Sequence, residues 1–87
     1  MSPYSIEFAD GWEKCFSKFD ASVKQRLMKK ILQLQYDLPA RHLKKGLPFF
    51  VLELGQHRIC YALDEKHSLK RLHFVGDHKQ YEKWLGI

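Results

Sequence analysis

The apolar positions of this chain change period several times, and each change predicts an element. Tyr4, Ile6 and Phe8 alternate with Ser5 and Glu7, the pattern of a short strand with one side buried. Asp10 and Glu13 then have the spacing of a capping box, and Trp12, Phe16 and Phe19 recur behind it at helical intervals, so a short helix is expected. Around Phe19-Asp20-Ala21-Ser22 the pattern resets. Asp20 or Ser22 can cap a second helix whose apolar positions are Val23, Leu27, Ile31 and Leu34, with Met28 and Leu38 beside them. Lys24, Gln25, Arg26, Lys29, Lys30 and Gln33 make its other face basic, and Pro39 ends it.

Ala40 to Pro48 reads as an exposed basic loop carrying Arg41, His42, Lys44 and Lys45. From Phe49 the period is that of strands. Phe49-Phe50-Val51-Leu52-Glu53-Leu54 is nearly all apolar, as in a strand covered on much of both faces. Gly55-Gln56 is a tight turn into a second strand, where Ile59, Tyr61 and Leu63 alternate with Arg58, Cys60 and Ala62. After the polar turn Leu63 to Ser68 comes a third strand, Leu69 to Val75. Alternation puts Leu72 and Phe74 on one side of it and Arg71, His73 and Val75 on the other. The tail, Gly76 to Leu85, has room for a helical turn or two.

These elements predict an α+β fold: an antiparallel sheet of about four strands, two N-terminal helices packed on one face and a short C-terminal helix. The first strand joins a sheet edge, beside the last or the central strand. The face opposite the helices is then expected to be open, concave and basic, with Arg58, Arg71 and His73 on it.

Eighty-seven residues suit a single domain with one modest core. Lys plus Arg outnumber Asp plus Glu by 15 to 10, a net charge of +5 that favours an anionic partner, whether nucleic acid or an acidic protein segment. Cys15 and Cys60 lie far apart, and neither a disulfide framework nor a zinc ligand set is suggested. With neither a signal-peptide pattern nor a stretch of membrane-spanning length, a soluble cytoplasmic protein is expected.

Order of elements and local motifs together resemble the RelE/ParE superfamily of toxins from toxin-antitoxin pairs. The resemblance is carried by Leu43-Lys44-Lys45-Gly46-Leu47-Pro48, His57-Arg58-Ile59-Cys60-Tyr61 and Phe74-Val75-Gly76-Asp77-His78-Lys79, followed by a C-terminal aromatic, and it spans nearly the whole of residues 1–87 as one toxin domain. It implies a RelE-like, ribosome-dependent endoribonuclease that cuts mRNA in the decoding site and is held inactive by an antitoxin. Arg58 is similar in position to the family's strand arginine, which binds or neutralises the scissile phosphate. His78 stands where many members have a basic residue or histidine, and Tyr81 or Trp84 is the counterpart of a C-terminal tyrosine. RelE-like members also carry lysines on the strand after the Gly-x-Pro loop, where this chain has Leu52 and Leu54.

RNA cleavage without a metal or other cofactor needs a proton carrier and a charge stabiliser, which histidine and a fixed arginine supply. His78 with Arg58 is the minimum set, with Tyr81 as a third candidate that donates a hydrogen bond or stacks on a base. His57, by parity on the side of Ile59 and Tyr61, is expected at the rim or partly buried. Arg41, His42, Lys44, Lys45, Arg71, His73 and Lys79 are the candidates for gripping RNA, a role that predicts salt-sensitive binding. Two alternatives stand beside this reading: a ParE-like inhibitor of DNA gyrase, which Leu52 and Leu54 would equally suit, and a catalytically inert binding module on the same fold.

Overall fold

The computed structural model describes residues 4–36, 41–42 and 49–86, with the backbone alone at 41–42. Its elements are β1 (Ser5–Phe8), α1 (Trp12–Phe16), α2 (Ala21–Gln33), β2 (Arg41–His42), β3 (Phe49–Leu54), β4 (His57–Asp64), β5 (Leu69–Asp77) and α3 (His78–Leu85). The α+β architecture expected from the sequence is present. The sheet runs β1-β5-β4-β3-β2. Strands β2 to β5 pair antiparallel, whereas β1 lies parallel to β5, so the sheet is mixed at that edge. The first strand thus joins the last, and Arg41–His42, expected in a loop, forms a short edge strand on Phe50 and Val51.

Local chemistry explains the helix starts. At α2 the Asp20 carboxylate accepts from the Val23 amide at 2.9 Å and from the Ser22 hydroxyl at 2.8 Å, so Asp20 is the cap. At α1 the expected Asp10–Glu13 box does not form. Gly11 caps instead, with φ 91° and no side-chain hydrogen bond, because the chain leaves β1 through a left-handed turn that a side chain would strain. Asp77 and Gln80 make a reciprocal capping box on α3, each accepting the other's amide at 2.8 and 2.9 Å.

Two apolar clusters lie on opposite faces of the sheet. Trp12 of α1 and Leu27, Ile31 and Leu34 at the α2 side pack on Leu52, Ile59, Tyr61, Leu72 and Val75. On the other face Tyr81 joins Val51, Cys60 and Phe74, with Phe49, Trp84 and Leu85 against them. Trp84 stacks on Phe74 with centroids 5.0 Å apart. That second face is therefore roofed by α3 and is not the open surface expected from the sequence.

The pairing of β4 with β5 shifts register between Cys60 and Tyr61: Cys60 faces Phe74, Tyr61 faces Leu72, and His73 is left without a partner. This β-bulge breaks the alternation. Leu72 and Val75 consequently meet the same helices, while Phe74 goes to the α3 side, a correction to the strict alternation expected along Leu69–Val75.

A buried cation ties the end of α2 to the sheet. Lys70 is almost fully enclosed, donates from Nζ to the Tyr36 carbonyl at 3.1 Å, and sits 4.4 Å from the Tyr4 ring centroid. Carbonyls past a helix C-terminus and an aromatic face both favour a positive charge.

Gly76 is the point at which the chain turns from β5 into α3. A Cβ built there meets the Phe74 ring at 2.7 Å and Gln80 Oε1 at 2.8 Å. The Gly76→Ala variant is expected to lose roughly 1–3 kcal/mol of stability by overpacking, read as a lower urea midpoint at unchanged slope.

Candidate functional site

The site grows from the β3–β4 hairpin. Leu54 pairs with His57 across Gly55-Gln56, and Gly55 takes φ 60° while Gln56 stays in the ordinary region, so this is a short turn that needs glycine at its first position. One step up the ladder, Glu53 faces Arg58; on the other flank Arg58 faces Gly76, where the Phe74 ring and the Gln80 side chain occupy the place a side chain would take. The three share a face with Val51, Cys60 and Phe74, which is the α3 face.

Arg58 is held from its own hairpin. Nη1 donates to the Gly55 and His57 carbonyls, both at 3.1 Å, and Nε lies 3.8 Å from Glu53 Oε1. Its side chain is 18% exposed and that of Glu53 49%. The guanidinium is therefore positioned and partly desolvated, with a carboxylate at ion-pair distance but farther than a tight charge-assisted hydrogen bond.

Beyond Gly76 the chain passes the cap Asp77 and reaches His78 at the start of α3. His78 is exposed, and its Nε2 is 2.7 Å from Glu82 Oε1 one helical turn on. Strand pairing thus brings Arg58, Glu53 and the start of α3 to one end of the sheet.

The remaining candidates fall in different places. Tyr81 is 7% exposed and its ring belongs to the α3-side core. Trp84 is half-buried over Phe49 and Phe74. Arg71 donates to Glu7 Oε1 at 2.8 Å, the residue opposite it on β1. His73, at the bulge, meets Phe49 edge-on at 5.0 Å. Lys79 is exposed on α3, and Arg41 and His42 are placed by their backbone alone. Lys44 and Lys45 lie outside the described residues. His57 is half-buried with its ring edge-on to Phe19 at 5.2 Å, the rim position expected from its parity.

Each of Arg58, Arg71 and His78 has a carboxylate within reach. The charged face is mixed rather than uniformly basic. The sequence reading leaves out Glu53, although its signal is present: Glu53 and Arg58 are equidistant from a two-residue turn, and such residues oppose one another in a hairpin. Leu52 and Leu54 point the other way, into the core under α2. Their being leucine therefore leaves the charge of the Arg58 face unaffected; on that face β3 contributes Glu53.

Among the described residues no cluster of three or more His, Cys, Asp or Glu side chains gathers as a metal site, and no helix is long and apolar enough to cross a membrane. Burial pushes the Cys60 thiol up to about 12, so it is inert at neutral pH.

No protein-family model matches the chain, and no curated protein matches it by sequence. Solved structures match it by shape. A chain of the toxin-antitoxin complex RelBE2 from Mycobacterium tuberculosis superposes with a TM-score of 0.80 at 17% identity, over 90% of this chain and 94% of that one. The isolated RelE toxin of E. coli gives 0.71 at 18%, over 95% and 96%. A chain of the RelB-RelE complex of Methanococcus jannaschii gives 0.72 at 14%, over 90% and 96%. The chain has the RelE fold.

Burial, and after it the Arg71 charge, hold the His73 pKa below its ordinary 6.5. The unfolded chain then binds the proton more readily, so His73 favours the folded state above that value and this contribution is lost as pH falls through it to the folded pKa. The Arg71→Gln variant is expected to move the His73 midpoint upward while leaving it below 6.5, because burial remains. Imidazole NMR titration reads it.

Proposed function

We propose that this protein is the toxin of a toxin-antitoxin pair and acts as a ribosome-dependent mRNA endoribonuclease. The observation that carries the reading is the Arg58–Glu53 pair, set by hairpin register at the end of the sheet where α3 begins with His78. The likeness to RelE toxins, solved alone and in complexes with RelB antitoxins, supports the toxin role and a cognate antitoxin as partner.

The chemistry assigned to these groups is transesterification. The Glu53 carboxylate takes the proton of the 2′-hydroxyl, and the resulting oxyanion attacks the adjacent phosphorus. Arg58 donates to the non-bridging oxygens as charge builds on the phosphorane. The 5′-oxygen leaves with a proton from the His78 imidazolium, giving a 2′,3′-cyclic phosphate and a free 5′-hydroxyl. Glu82 orients the imidazole from one helical turn away. Tyr81, enclosed in the core, fits a role in holding α3 over the sheet better than direct contact with a base. Arg41, His42, Lys44, Lys45, Arg71, His73 and Lys79 remain the proposed contacts to RNA, of which Arg71 must exchange Glu7 for phosphate.

A ParE-like gyrase inhibitor gains nothing specific here, since Leu52 and Leu54, the positions that suggested it, are core residues. Induced expression is expected to arrest growth, with codon-phased 5′ ends on translating ribosomes. Arg58→Ala, His78→Ala and Glu53→Gln should each lower cleavage about 10²–10⁴-fold while leaving the melting temperature within a few degrees. Arrest with DNA-damage signalling and no cuts would replace this reading with the gyrase one.

A further inference from the structure

Behind the turn that holds Arg58, on the α2 side of the sheet, lies a cavity of about 300 Å³. Val23 and Leu27 of α2 and Leu54 of β3 are its apolar walls, and Arg26, Gln56 and His57 are its polar ones. Among the described residues none of these three polar side chains has a hydrogen-bond or ion-pair partner, although the His57 ring meets Phe19 edge-on. Asp20 feels the Arg26 charge from the cap of α2, but its Oδ1 is already engaged by the Val23 amide and the Ser22 hydroxyl. Helix α2 adds Lys24, Lys29 and Lys30 and has no acidic residue in Ala21–Gln33, so the cavity lies in a positive field. Gly55 completes the lining. Its carbonyl and that of His57 are the two acceptors that hold Arg58 Nη1, so the cavity and the arginine use one turn from opposite faces.

We infer that this cavity binds a nucleoside monophosphate, with the phosphate on Arg26 and the base against Val23, Leu27 and Leu54. A guanidinium with no carboxylate hydrogen-bonded to it takes phosphate oxygens through its fork of donors. Aliphatic walls suit the apolar faces of a base, and the Gln56 amide offers one donor and one acceptor, the pair that an adenine edge presents. An inorganic anion would leave the apolar half of the cavity unused. The volume lies at the small end of ligand sites, the size of a single nucleotide. Such a nucleotide has two sources: free in solution, or within an RNA strand that passes round the turn from Arg58. The second source rests on the proposed ribonuclease function; the site and its chemistry do not. Contact with Gly55 and His57 braces the turn, so occupancy also fixes the carbonyls that seat Arg58.

The test titrates AMP into the full chain and follows the backbone amides and the Arg58 Nε–H group by two-dimensional NMR. Saturable shifts at Gly55, Gln56, His57 and Arg58 Nε–H are expected. Arg26→Gln should weaken binding at least about tenfold and Gln56→Ala about threefold or more. Lys29→Gln, which removes the same charge from α2 outside the cavity, should leave the affinity unchanged, as should Arg58→Ala. Circular dichroism checks that each variant is folded. Adenosine and ribose 5-phosphate, each lacking one half of the ligand, should bind at least about tenfold more weakly than AMP. No shift at the turn, equal binding of adenosine or ribose 5-phosphate, or an equal loss in Lys29→Gln and Arg26→Gln would each overturn the inference. Displacement of AMP by the trinucleotide ApApA, whose phosphates are diesters, assigns the site to an RNA strand; retention of AMP against it assigns the site to free nucleotide. Absence of growth arrest with AMP still bound would overturn the toxin reading and leave this site standing, and arrest without AMP binding would do the reverse.

Discussion

One extra residue in β5 decides what the two faces of this sheet can be. Without a shift at His73, period-two alternation would send Val75 to the α3 side and Phe74 under α2. With it, Lys70, Leu72 and Val75 all serve the helical layer, while Phe74 crosses to meet Cys60, Val51 and Tyr81. A chain of this size has one strong core to build, and the bulge lets a single strand feed both it and a smaller one beneath α3. The smaller core anchors α3, and α3 in turn places His78 beyond Gly76 and next to the hairpin that holds Arg58.

The resting site satisfies its own charges weakly. Partly exposed ion pairs such as Arg58–Glu53 and Arg71–Glu7 contribute ~0–1 kcal/mol each. A phosphate received by an arginine makes charge-assisted hydrogen bonds that contribute about 1.5–3 kcal/mol apiece, so it displaces those contacts. In the proposed reaction the carboxylate released from Arg58 is then beside the bound phosphate, where a proton acceptor is needed. Repulsion between Glu53 and phosphate opposes this arrangement, and the guanidinium between them is what makes it tolerable. On the proposed function, this pair lets a face that is not strongly basic receive RNA.

What is legible in the sequence follows from how regular each signal is. The period of Val23, Leu27, Ile31 and Leu34 reports α2, because nothing interrupts it and Asp20 marks its start. Ile59 and Tyr61 report β4, and with it the face of Arg58. The bulge carries no comparable mark: His73 is neither glycine nor proline, and its neighbours on both sides are apolar, so either parity looks acceptable. The covered second face escapes for a related reason. Tyr81, Trp84 and Leu85 look the same whether they sit on their own short turn or roof a sheet. Only the three-dimensional path through Gly76 shows that they fold back. At the site, Arg58 and His78 stand out as charges in a pattern, whereas Glu53 becomes meaningful only through its partner across the turn.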